Sequence, residues 1–600
     1  MSGVVGVVNL DGAPVDGVLM ARMVAALAFR APDGLGTWMG GVVALGHSLL
    51  AQPGACGLAT LDGRVRIAAD VRLDARGELV GRLRDAGRSA AHESRDAELV
   101  LHAYHAWGEG CVEHLRGDFA FAIWDGARLF CARDHFGIRP FHYAVVDRAV
   151  VVGNTLDSIL LHPAVSRRAD DRAVADYLLF GWNRDPGASY FRDVHTLAPA
   201  HTLVVERGRV TTARYWSVPL DAELRHRRPR DYLDHFEQLF GEAVSDRMRG
   251  GRASLFMSGG RDSTAIAAAA RGVPGAELRA HTSVYDRLIP DEERRYSSLA
   301  ARALGISIEH HPVDAYRLFE RWDDPALARP QPQDGALAAI DADVLRRMRA
   351  HGSTALTGFG ADAALYGTRS RLVKLVAGGR PGRALREAVQ YARWHRRIPR
   401  PGVRSWLRDR SGAREWTPPF PGWLRPEIVD RLGLRAAWEY ELRPAPSPHP
   451  LRPEAHARVS SPFWARLFEA FDPGVTRVPV QVAHPFMDVR VVSFLLSVPP
   501  AQWYNDKGLL RMTMRGRLPA EFLRRQKTPL AGDPVLARLR EWGPEGMCRT
   551  TLARGIERWV DPARLPRYAG GMHDEDGWAD AWLHLRPLAL SIWLERMDVE

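Results

Sequence analysis

Apolar residues in the first third of the chain fall in short runs closed by Gly, Asp or Pro. The runs at 4–10, 42–50, 64–73, 119–125, 128–134, 141–146, 149–154 and 201–210 predict strands. Helical spacing shows only around 18–29 and 95–108. Many strands with few helices predict two packed sheets under a helical cover. The texture changes after Tyr215-Trp216. Residues 230–249 carry apolar positions at helical spacing, and Ser254-Leu255-Phe256-Met257 reads as a strand entering a Gly-rich turn and an Ala-rich helix. Further strands are expected at 277–285 and 354–360, which predicts a parallel α/β sheet, with a domain boundary near 216–225.

Composition narrows the class. The chain has 600 residues, 46% of them hydrophobic and 26% charged, enough for two or three large domains. Cys56, Cys111, Cys131 and Cys548 lack metal-ligand or CxxC spacing, which argues against a zinc framework and fits a reducing cytoplasm. No signal-like N-terminus or membrane-length apolar run is present, so a cytoplasmic protein without membrane attachment is expected. Net charge is +11, yet only three of the 82 basic residues are lysines: Lys374, Lys507 and Lys527. An ammonium is a compact charge that guanidinium does not replace, so each of these lysines is a functional candidate. Residues 369–415 hold 14 basic residues against Glu387, Asp409 and Glu415, with Trp394 and Trp406 between. That segment reads either as a peptide- or nucleic-acid-binding face or as a solvated helical excursion. The Pro-rich stretch 443–453 reads as a surface linker.

The strongest local signal is Ser258-Gly259-Gly260-Arg261-Asp262-Ser263-Thr264. A strand end delivers two glycines that let backbone approach phosphate, and the following helix start favours anions. Ser258 and Ser263 can donate hydroxyls, and Asp262 can hold a divalent cation against a polyphosphate. This SGGxDS pattern is that of ATP enzymes that release pyrophosphate. A second predicted strand end, Thr357-Gly358-Phe359-Gly360-Ala361-Asp362, can face the same site, because ligands gather beyond the carboxyl ends of parallel strands. Asp262 and Asp362 are then the expected Mg²⁺ carboxylates.

These motifs, taken together, resemble the asparagine synthetase superfamily over nearly the whole chain. The matching stretches are Phe29 to Gly36, Leu45-Gly46-His47, Asp96-Ala97-Glu98, Leu115 to Asp125, Arg133 to Pro140, Tyr215-Trp216, His484 to Asp488, Asp506 to Arg511 and Arg525 to Leu530. The resemblance implies an N-terminal glutaminase-like αββα sandwich of the Ntn type over 1–218 and an ATP-pyrophosphatase-type parallel α/β synthetase domain over 219–600. It implies ATP as substrate and Mg²⁺ as cofactor. Phe256, Ser283 and Gly358 would line the adenosine pocket, and Ser258, Gly259, Gly260, Asp262, Ser263 and Thr264 would hold the phosphates. Lys527 would be the catalytic cation beside Asp262 and Asp362. Lys507 is expected to be structural or phosphate-adjacent, and Lys374 a solvated residue of the basic excursion.

The departures are informative. Glutamine-hydrolysing members expose an N-terminal Cys, whereas position 2 is Ser. The family's substrate-holding Arg is Leu49 here, and its Asn-Gly oxyanion pair is Ala69-Asp70. The N-terminal domain therefore resembles a glutaminase that has lost its chemistry, and the nucleophile must be a substrate amine. β-Lactam synthetases carry Tyr at position 359 and asparagine synthetases Glu; here it is Phe, which cannot take a proton. The wording from Tyr285 to Glu293 looks most like lasso peptide cyclases. The expected reaction is adenylation of an Asp or Glu side chain of a precursor peptide, then ring closure by its N-terminal amine, with a leader peptidase and leader-binding protein as partners. The alternatives are a small-molecule amide ligase and a tRNA-modifying ATP pyrophosphatase. A nucleic-acid partner is not expected, because a tRNA enzyme would not need the glutaminase-like domain.

Overall fold

The structure, a computed structural model, describes the chain except residues 1, 31–32, 50–57, 221–222, 369, 396–397, 400, 412–418, 444, 446, 500–502, 505–506, 526–531, 543–554, 566–576 and 600. The strands before residue 215 are β1 (Gly3–Asn9), β2 (Gly34–Met39), β3 (Val43–Leu49), β4 (Arg66–Leu73), β5 (Gly117–Trp124), β6 (Arg128–Arg133), β7 (His142–Val146), β8 (Ala149–Gly153), β9 (Val194–Thr196), β10 (His201–Glu206) and β11 (Arg209–Arg214). They build two antiparallel sheets, ordered β2-β3-β1-β8-β7-β9 and β11-β10-β6-β5-β4.

Strand alternation makes the layers. Val4 and Val8 of β1 meet Leu45, Ala122 and Val150 between the sheets. Val5 and Val7, one residue out of phase, pack under the helix Gly17–Ala25. On β5, Ala120 and Ala122 face the inter-sheet core, while Phe119, Phe121 and Ile123 lie under the helices Arg76–Asp85 and Asp96–Trp107. The result is the αββα sandwich of an Ntn glutamine amidotransferase fold. The run at 201–210 proves to be part of a hairpin: Arg207 and Gly208 take φ of 50° and 75°, which turns β10 back as β11.

The second half opens with the helix Pro229–Arg247, whose Tyr232, Phe236, Phe240, Ala243 and Val244 are buried at helical spacing. β12 (Arg252–Phe256), β13 (Glu277–Val284), β14 (Ser307–Pro312), β15 (Thr354–Leu356) and β16 (Gln481–Ala483) form a sheet ordered β14-β13-β12-β15-β16, parallel throughout. The helices Arg261–Ala270 and Glu293–Leu304 cover one face, and Ala338–His351 covers the other. Both faces are buried, as parallel sheets require.

Buried charge joins the two halves. Arg247, at the end of its helix, lies 3.4 Å from Asp74 and 3.9 Å from Asp118 of the sandwich, and 3.0 Å from Asp488 of its own half. Arg72 pairs with both Asp74 and Asp118, and Arg490 reaches Asp488 at 2.8 Å. Burial alone would raise the Asp488 pKa, but the Arg490 hydrogen bonds and the Arg247 charge overcome it and hold that carboxyl below the usual range. Two further buried contacts cross the same boundary: Arg30 pairs with Asp472, and His142 lies 3.1 Å from Glu469. The C-terminal helix Gly577–Met597 then returns to the sandwich, stacking Trp593 edge-on to Phe191 at 5.6 Å and bonding Arg586 to the Leu179 carbonyl at 2.6 Å.

Two expectations change. Residues 443–453 are not simply a surface linker, because His449, Leu451 and Arg452 are buried. Arg452 donates to the carbonyls of Ala364, Leu495 and Tyr366 and stacks on Tyr504. The basic excursion is helical, over Arg371–Ala377, Pro381–His395 and Val403–Ser411. Its charges are partly internal: Arg371 grips Glu387 with two bonds, and Lys374 pairs with Glu454 at 2.9 Å. No described helix is long and apolar enough to cross a membrane.

Candidate active site

Parallel strands leave their carboxyl ends on one edge, and the sequence-predicted residues collect there. Phe256 ends β12, Ser283 is the penultimate residue of β13, and Gly358 lies two residues beyond β15. Ser258, in the turn after β12, is bonded into the start of the next helix: its Oγ lies 3.3 Å from Ser263 Oγ and accepts from Gly260 N at 3.2 Å. Ser263 Oγ donates to the Ser258 carbonyl at 3.2 Å, and Thr264 Oγ1 to the Gly260 carbonyl at 2.7 Å. These bonds hold the helix start Gly260-Arg261 at the sheet edge, and the positive end of a helix dipole favours an anion there.

The glycines are required by close approach. A Cβ on Gly259 would stand 2.5 Å from an Arg525 nitrogen and 2.6 Å from Tyr296 Cβ; one on Gly358 would stand 3.1 Å from Asp262 Cβ. Arg525 clamps the loop, donating to the Gly259 carbonyl at 2.6 Å and to Glu293 at 3.2 Å, while Glu293 accepts from Gly259 N. Both belong to stretches matched by the resemblance, but their roles were not foreseen from the sequence.

Asp262 and Asp362 converge on one ammonium. Lys507 Nζ contacts Asp262 and lies 2.7 Å from Asp362. Lys507 takes φ of 50°, a left-handed conformation that costs energy in a non-glycine residue and marks a position held by its surroundings. Two carboxylates turned to one side of the sheet edge are the hard oxygen donors that Mg²⁺ prefers, so the residues fit that ion, which would bind them beside the Lys507 ammonium. Lys527 lies outside the described residues, which end on that side at the loop-clamping Arg525.

Phe359 is fixed by aromatic neighbours, 5.3 Å from Phe471 and 5.8 Å from His484. His484 bonds Thr357 Oγ1 at 2.7 Å and stacks on Phe468 at 4.2 Å. Burial pushes the His484 pKa down to about 3 and that of His135, enclosed by Tyr215 and Trp216, to about 4. Both rings are neutral in the fold and gain a proton on unfolding below pH 6.5, so the unfolded chain binds more protons in that range. Their contribution is full above pH 6.5 and is lost as pH falls toward those values, at about 1.4 kcal/mol per pH unit per ring. Urea unfolding of a His484→Gln variant between pH 6.5 and 4.5 should show a pH slope shallower by one proton; an unchanged slope would contradict the assignment.

In the sandwich, buried charge gathers beside Ser2. Asp70 on β4 is 1% exposed, accepts from the backbone N–H of Ser2 at 3.1 Å, and lies 4.0 Å from Arg30 and 3.8 Å from Arg139. Asn154 donates to the Ser2 carbonyl at 2.9 Å. A buried carboxylate thus stands beside the Ser2 backbone, at the second position of the Ala69-Asp70 pair.

A family model described as glutamine amidotransferase domain matches residues 1–216, and one described as asparagine synthase matches 235–595. The glutamine-hydrolyzing asparagine synthetase 3 of Bacillus subtilis (strain 168) is 26% identical over 548 residues, covering 85% of this chain and 83% of that protein. A putative glutamine-hydrolyzing asparagine synthetase of Mycobacterium bovis is 30% identical over 279 residues, 42% of each chain. The amidase chyE of Penicillium rubens is 26% identical over 249 residues, 38% of this chain and 36% of that one. The asparagine synthase match spans more than half of the chain and contains the Ser258–Thr264 loop, both carboxylates and Lys507; the chain belongs to the asparagine synthase family and carries a glutamine amidotransferase domain ahead of that region.

Proposed function

We propose that the protein is an ATP-dependent amide ligase that closes a macrolactam on a lasso precursor peptide. The observation that carries this reading is Asp70: a buried carboxylate beside Ser2 would repel the oxyanion of glutamine hydrolysis, which supports an amine supplied by the substrate. Purified protein given glutamine is expected to form no glutamate above the no-enzyme rate; hydrolysis that tracks the protein through purification would sink this.

A carboxylate oxygen of an Asp or Glu side chain attacks the α-phosphorus of ATP, and pyrophosphate leaves. The peptide's N-terminal amine then attacks the acyl carbon, AMP leaves, and the amine's proton passes to solvent. The loop from Ser258 to Thr264 holds the polyphosphate, and Phe256, Ser283 and Gly358 border the adenosine. Lys507 presents an ammonium to the phosphates, with Lys527 as a second cation. Mg²⁺, held by Asp262 and Asp362, would offset polyphosphate charge. Phe359, packed on Phe471 and His484, offers the substrate an apolar surface and no proton acceptor. Proximity of the held amine to the acyl-adenylate supplies much of the rate.

A leader peptidase and a leader-binding protein would supply and present the core peptide. Pyrophosphate release tests the reading. Release stimulated by a leader-free core peptide, and not by free aspartate or other amino-acid-sized carboxylates, supports it. The reverse preference would favour a small-molecule amide ligase.

A further inference from the structure

On the side of the sheet covered by the helix Ala338–His351, alternate residues of three neighbouring strands carry a polar cluster unused by the reaction above. His281 of β13 stands in register with Glu309 of β14, and His311 lies two residues further along. The two imidazoles are buried and parallel, 5.3 Å apart at 8°, with His281 Nδ1 3.0 Å from His311 Nε2. Glu309 Oε2 is 3.8 Å from His281 Nδ1.

We propose that His281, Glu309 and His311 bind a divalent transition-metal ion of the zinc type. The hydrogen bonds around the cluster decide which nitrogen of His281 carries its proton. Ser254 Oγ gives its only proton to the Met348 carbonyl at 3.2 Å, so it must accept from His281 Nε2 at 3.4 Å. That leaves a lone pair on His281 Nδ1, pointing at His311. A ligating histidine with its other nitrogen bonded to a fixed partner is the usual arrangement in metal sites.

His311 shows the same preparation. Its Nδ1 lies 3.6 Å from Glu309 Oε1, which favours a proton there and a lone pair on Nε2. The two nitrogens face each other at 3.0 Å, a separation that a shared proton or a metal ion between them satisfies. The separation is close to the roughly 3.3 Å edge of a tetrahedron with Zn–N bonds of about 2.0–2.1 Å. Arg347 holds Glu309 Oε1 at 3.1 Å and leaves Oε2 turned toward His281. Arg279 and His351 are the other charged or titratable groups acting on His281, and His310 and Arg347 those acting on His311; burial lowers the pKa of both imidazoles. Two imidazoles and one carboxylate suit zinc rather than Mg²⁺, which prefers oxygen donors.

The ion would fasten β14, an edge strand of the sheet, to β13 just below Ser283. The proposal does not depend on the reaction assigned to the protein. Chelator-treated, tag-free protein titrated with Co²⁺ should take up one equivalent with the visible absorption of a tetrahedral site, and Zn²⁺ should displace it and raise Tm. Glu309→Gln should weaken Zn²⁺ at least tenfold, and Ser254→Ala, which removes only the orienting hydroxyl, about 10–100-fold. Asp262→Asn should leave Zn²⁺ affinity unchanged. Absence of uptake by the unsubstituted protein, or unaltered affinity in both Glu309→Gln and Ser254→Ala, would overturn the site.

Discussion

Lys507→Met is expected to lower carboxylate-dependent pyrophosphate release about 10²–10³-fold, the usual cost of removing one preorganised charge-stabilising donor. The ammonium contacts Asp262, a residue of the Ser258–Thr264 loop, and lies 2.7 Å from Asp362. Without it, two carboxylates face the polyphosphate with one cation fewer, so the loss should appear in kcat as well as in KM for ATP. Lys507→Arg should recover little, because a planar fork cannot occupy the position of a compact ammonium between two carboxylates. Single-turnover assays of pyrophosphate separate the step from product release. Rates within threefold of the parent would remove Lys507 from the chemistry.

The second large effect concerns stability. Arg247→Met should destabilise the protein by about 3–5 kcal/mol, because it leaves Asp74, Asp118 and Asp488 buried without the cation they share across the boundary. Urea denaturation followed by tryptophan fluorescence should show the boundary failing first, as an added early transition or a lower midpoint. A combined Arg247→Met and Asp488→Leu variant should regain part of the loss, since it removes one of the three buried carboxylates while Arg490 keeps its pair with Asp246. A loss under about 1 kcal/mol would show that the network is better solvated than its burial implies.

What the sequence revealed was local. β1, β3 to β8, β10 and the phosphate loop stand out because one strand or one turn carries their signal. β2 was missed because Gly34-Leu35-Gly36 obscures its alternation. The helix Asp171–Phe180 was missed because it is buried nearly all round. The site residues were legible as two loops some 100 residues apart that can face one site, but the ammonium that stands against both carboxylates was not. The scarcity of lysine pointed to three positions, and the resemblance put the weight on Lys527. The described structure brings Lys507 to the two carboxylates and so gives it a larger part than the sequence did.

Long-range charge stayed hidden. Asp118 and Asp488 lie within matched stretches, yet nothing in either stretch announces that Arg247 joins them. Asp70 was visible as a departure from an oxyanion pair, but its contacts with Arg30 and Arg139 require the fold. The same holds for His281 and His311, which occupy different strands with no ligand spacing between them.

The most direct test of the account is the mass of a leader-free core peptide after incubation with the protein, ATP and Mg²⁺. Loss of one water, with AMP and pyrophosphate formed in equal amounts and no requirement for glutamine, is the predicted result. An unchanged peptide mass, with asparagine formed from aspartate and glutamine instead, would contradict it.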